Sequence, residues 1–144
     1  MTTVTAAPDV EPVRSRIPPW VDLAVRIVGF VVAVLLAVAT ATYEVFLVPL
    51  RWDGARLPVS VAGALVVNLA LAWFTVVVTR RRIAVVGPAA AWMVVMVAAA
   101  TRTSEGDLVL TDNNWVGIVT MLAGSLTFAV AGYRLVLTAF RPKV

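Results

Sequence analysis

A chain of 144 residues that is 61 % hydrophobic and only 14 % charged, with mean hydropathy +0.95, lies outside the range of soluble domains and inside that of polytopic membrane proteins. It has no cysteine and no histidine, which excludes disulfides, thiol redox chemistry, His-ligated haem and most transition-metal sites, so no cofactor is expected. The net charge of +4 and the pI near 10.7 do not call for nucleic acid, because the basic residues sit where a membrane topology places them.

Residues 1–19 are polar and punctuated by Pro8, Pro12, Pro18 and Pro19, which predicts a disordered cytoplasmic tail. Trp20 opens an interfacial stretch with Asp22 and Arg26 spaced i,i+4. A first span is expected over about 27–48, closed by Pro49. Ala37-Val38-Ala39 resembles a signal-peptide cleavage site, but apolar character resumes after Glu44 as Val45-Phe46-Leu47-Val48. The run then reaches a full spanning length, which favours an uncleaved helix. The second span is expected over about 57–79, with Pro58 in its first turn. The third covers 83–101 and contains Pro88, a residue able to kink it. The fourth runs from Trp115 to about Tyr133, after Asp112, Asn113 and Asn114. These two Asn and the Asp suit an N-cap, with a cation-binding cluster as the alternative.

Arg80, Arg81 and Arg82 separate the second and third spans. A charge block this dense marks a cytoplasmic turn and is the main topology determinant. Alternating the spans from there puts nine Arg/Lys inside, among them Arg134, Arg141 and Lys143, against Arg51, Arg56 and Arg102 outside. The expected architecture is an all-α, four-helix up-down bundle in the cell membrane with both termini cytoplasmic. Trp20, Trp52, Trp115 and Tyr133 fall near the boundaries as an aromatic belt. The basic inner residues could also hold anionic lipid headgroups.

Small residues mark the faces on which membrane helices approach closely. The expected seams are Gly29, Ala33, Ala37 and Ala41 in the first span, and Ser60, Ala64, Asn68 and Ala72 in the second. The third offers Ala84, Pro88, Ala91, Val95, Ala98 and Arg102. The fourth offers Asn113, Gly117, Thr120, Gly124, Thr127, Ala131 and Arg134. Large Val, Leu and Phe side chains would then face lipid, with Met93 and Met96 as packing residues.

Few polar groups lie within the spans. Glu44 shares the face of Ala33 and Ala37, about a turn below the outer end. It reads as an ion-pair partner for Arg102, as a snorkelling carboxylate, or as a protonatable group for proton coupling or cation recognition. Glu44, Arg102 and Asn113 form a candidate outer polar cluster. Asn68, at mid-span, suits an interhelical hydrogen bond or a polar substrate. Trp92 lies at a similar depth, and its indole N–H needs an acceptor, for which Asn68 is a candidate.

This layout of polar N-tail, four spans, Arg turn and short basic C-tail resembles small four-helix integral membrane proteins common in actinobacteria. The resemblance covers the whole chain and carries over no functional residue. Small multidrug resistance transporters are similar in having four helices and one Glu in the first span. Their essential Glu lies near mid-helix, however, and Glu44 does not. The functional expectation is a non-enzymatic membrane protein: a scaffold or accessory subunit that associates with another membrane protein or with itself. The alternative is a small homo-oligomeric transporter or flippase using Glu44 and Asn68. A lone carboxylate without His, Cys or a paired acid offers an enzyme little chemistry.

Overall fold

The computed structural model describes residues 18–101 and 114–137. Residues 1–17 of the expected tail, Arg102, Asp112, Asn113, Arg141 and Lys143 lie outside these residues, while Pro18 and Pro19 cap and open α1. The described chain forms α1 (Pro19–Leu47), a hairpin of β1 (Arg51–Trp52) and β2 (Ala55–Arg56), α2 (Val59–Thr79), a 3-10 turn (Arg82–Val85), α3 (Val86–Ala100) and α4 (Trp115–Leu137). Four of its helical stretches, counting the 3-10 turn with α3, are long and apolar enough to cross a membrane. The protein is a four-helix transmembrane bundle.

Helix α1 starts well before the expected span. Pro19 occupies its first turn, where the missing N–H costs nothing. One turn on, Arg26 Nη2 pairs with Asp22 Oδ2 at 2.6 Å. The loop between α1 and α2 is a two-residue hairpin pairing Arg51 with Arg56 and Trp52 with Ala55. Its central residues, Asp53 (φ 50°) and Gly54 (φ 79°), both take positive φ, as a turn matching strand twist requires. A side chain on Gly54 would meet open space, so its cost is purely conformational. Gly54→Ala should therefore lower stability by about 1 kcal/mol, read as a modest shift in thermal unfolding in mild detergent.

Arg80 ends α2 in the left-handed region (φ 54°). The Thr79 hydroxyl steadies this turn: it donates to the Thr75 carbonyl at 2.6 Å and accepts from the Arg81 N–H at 3.2 Å. Pro88 does not interrupt α3. It falls in that helix's first turn, just after the 3-10 turn, so little of the α-helical ladder is left for it to break.

The helices pack in the cyclic order α1, α2, α4, α3, with the α3–α4 contact the slightest side. Neighbours in sequence run antiparallel: on α1 and α2, Gly29 faces Val78 and Gly63 faces Glu44. The expected seams of α1 and α2 are buried throughout, as are Gly117, Thr120, Gly124, Thr127 and Ala131 of α4. Arg134 is exposed at the end of that stripe.

Helix α3 departs from expectation. Its buried face is Val85, Pro88, Trp92 and Met96, whereas Ala98 is exposed and Ala84, Ala91 and Val95 are only half-buried. The helix is rotated because its largest side chain goes inward. An indole buries more apolar surface than any alanine and carries an N–H that needs an acceptor. Leu35, Val66, Val94, Leu122 and Leu126 are among the exposed residues that form the lipid-facing exterior.

Candidate functional site: a buried polar hub around Trp92

All four helices meet at Trp92, which is completely buried. From α1, the Glu44 carboxyl accepts the indole N–H, with Nε1 to Oε2 at 2.9 Å. From α4, Gly124 leaves room for the ring: a Cβ there would collide with the indole and lie 3.0 Å from the Asn68 amide nitrogen of α2. Phe128 of α4 packs on the ring in a tilted arrangement, with centroids 6.0 Å apart. Glu44 is reached because α1 presents every fourth residue from Gly29 to Ala41 to the bundle, and the stripe continues onto it. Only 3 % of Glu44 is exposed.

This geometry changes the sequence-based picture at one point. The acceptor for Trp92 is Glu44 and not Asn68. Among the described residues, both amide atoms of Asn68 are buried without a hydrogen-bond partner, and so is Glu44 Oε1. Of the candidate cluster of Glu44, Arg102 and Asn113, only Glu44 lies within the described residues. Glu44 and Asn68 are thus both brought to the neighbourhood of one indole, and among the described residues three of their four terminal polar atoms have no hydrogen-bond partner.

A second interhelical contact joins α2 and α4. The Ser60 and Thr120 hydroxyl oxygens lie 2.8 Å apart. Thr120 also donates to the Val116 carbonyl at 2.7 Å, so its single proton is committed and Ser60 is the donor of the pair. Asn114 precedes α4, and its carbonyl accepts the Gly117 N–H at 3.0 Å. Its side chain does not cap the helix. It reaches instead to the Val48 carbonyl at 3.5 Å and to Arg56 Nη1 at 3.4 Å, tethering α4 to the C-terminal end of α1 and to the hairpin.

No group of three or more acidic, His or Cys side chains suited to a metal occurs among the described residues. The clefts described in the bundle surface are lined by neither Glu44 nor Asn68. Comparisons with models of protein families, with curated proteins and with solved structures find no match.

Glu44→Gln tests the acceptor role. Glutamine keeps a carbonyl oxygen for the indole, so the variant should stay within about 1 kcal/mol of the parent. Glu44→Leu removes the acceptor and leaves the N–H buried and unpaired, at a cost of about 1–3 kcal/mol. Equal unfolding midpoints for the two variants would show that the hydrogen bond carries no weight.

Proposed function

We propose that this protein is a non-enzymatic multi-pass component of the cell membrane, acting as a scaffold or accessory subunit of a membrane complex. The observation behind this reading is the engagement of Glu44, the one carboxyl deep in a span among the described residues, with Trp92 in the buried core. Ser60, Thr75, Thr79 and Thr120 are likewise taken up by interhelical or same-helix bonds. The chemistry inside the bundle serves the bundle, which leaves the lipid-facing surface and the charged ends for recognition. Affinity capture of the tagged chain in mild detergent should recover one reproducible membrane protein, or a second copy of the chain. Repeated recovery of the monomer alone, after cross-linking in membranes, would count against the proposal.

The uncommitted Glu44 Oε1 and Asn68 amide favour a second reading, a small transporter whose polar path opens at this hub. In proteoliposomes that reading requires a flux of protons or small cations that Glu44→Gln abolishes while the variant remains folded. A sealed vesicle with no flux above the protein-free background would dismiss it.

The orientation belongs to the same proposal. The start of α1 and the Arg80–Arg82 turn lie together, with Arg80 Nη1 3.6 Å from Asp22 Oδ1, and the up-down order brings the end of α4 to this end too. The nine-to-three excess of basic residues on that side supports a cytoplasmic location for both termini. Reporters fused after Arg82 and at the C-terminus should behave as cytoplasmic, and those within Ser104 to Asp107 as external. An external C-terminus would overturn the orientation.

A further inference from the structure

We propose that the Arg-rich end of the bundle holds one anionic phospholipid, seated in the cleft between α1 and the α2–α3 turn. The cleft has a volume of about 310 Å³, at the lower end of the range for small-ligand sites. That is room for a phosphate and its glycerol, with the acyl chains continuing into the bilayer. Its walls divide by chemistry. Leu23, Ile27 and Phe30 of α1 and Ala84 of the 3-10 turn form the apolar part, and Arg26 and Arg81 supply the polar part.

Charge and hydrogen-bonding capacity both point to an anion. Asp22 pairs with Arg26 and lies near Arg80, and Arg81 adds a further guanidinium to the cleft wall, so positive charge is in excess among the described residues here. Among the described residues, Arg26 Nε is buried without an acceptor although Nη2 is satisfied by Asp22. A phosphodiester oxygen is the acceptor that this leaflet supplies, and a guanidinium presents its N–H groups in a fork suited to it. Apolar contact below and cationic contact above is the order in which a phospholipid presents its own parts. A soluble anion would gain only the upper half.

The inference is independent of the scaffold reading and is tested separately. The full chain is purified in mild detergent, incubated with phosphatidylglycerol or phosphatidylcholine, and its bound lipid counted by native mass spectrometry. One phosphatidylglycerol should be retained in preference to phosphatidylcholine. At roughly a factor of five for each basic residue, the double variant Arg26→Gln/Arg81→Gln should reduce that retention by about tenfold or more. Ala84→Phe fills the cleft with every charge kept and should also displace the lipid, whereas Arg51→Gln at the opposite end should change nothing. Retention unaffected by both the double variant and Ala84→Phe would overturn the site. Displacement by inorganic phosphate as effective as that by phosphatidylglycerol would overturn its assignment to a lipid.

Discussion

Trp92→Ala should cost the bundle about 3–5 kcal/mol, the range for truncating a large buried aromatic. That is a large share of a whole domain's stability, so the variant should unfold early in mild detergent or fail to accumulate. The loss has three sources at this position. The void would open where all four helices meet, Phe128 would lose its ring contact, and Glu44 would keep a buried carboxyl with neither oxygen engaged. Trp92→Phe separates these sources, because it retains most of the volume and removes only the donor. It should cost about 1–3 kcal/mol, most of it from the stranded carboxyl. Combining it with Glu44→Met replaces both partners by apolar groups and should recover part of that loss, since pairs removed together leave nothing unsatisfied. Unfolding followed by circular dichroism gives all four midpoints. A Trp92→Ala protein as stable as the parent would mean that the indole does not organise the core.

Gly124→Leu and Ala37→Leu should be nearly as damaging, each by about 3 kcal/mol at the upper end of overpacking costs. Gly124 is the space that the Trp92 ring occupies, and any Cβ there already collides with it. The ring cannot swing aside without leaving Glu44. Ala37 is fully buried where α1 meets its neighbours, and a leucine there pushes backbones apart. Val38→Leu and Val130→Leu are the controls, because both positions are exposed on the lipid side. They should behave like the parent in the same unfolding measurement. Equal tolerance at all four positions would show that the inward and outward faces are assigned wrongly.

The spans and three of the four inward faces were legible from residue pattern, and the physical reason is the same for each. On α1, α2 and α4 the small residues recur on one side among Val and Leu, so close approach is possible only there. On α3 the alanines are spread around the helix, from Ala89 and Ala90 through Ala98 and Ala99 to Ala100. No side is marked by smallness, and the single bulky Trp92 decides the rotation. The hairpin did have a signal, Asp53-Gly54, a pair that tolerates positive φ at both positions. Its strands are only two residues each, too short for an alternating pattern to mark them. For Glu44, depth and face could be read from spacing, but its partner could not. That partner depends on α3 packing beside α1, and helix adjacency is a property of the assembled bundle that no local period encodes.

The division between polar groups that bond within their own helix and those that bond across helices bears on how the chain can assemble as it is synthesised. Thr75 and Thr79 donate to carbonyls four residues earlier on α2, so they are satisfied as soon as that helix exists. An inserted α1–α2 pair can therefore wait in lipid with those hydroxyls already quiet. Glu44 and Ser60 cannot. One waits for an indole 48 residues downstream and the other for a hydroxyl 60 residues downstream. Each late helix thus brings the group that an early helix lacks, α3 for α1 and α4 for α2. Besides the unpaired Asn68 amide, the half-built bundle carries on each of its two helices a polar group that a later span satisfies, and this gives the incoming spans a reason to dock on different neighbours.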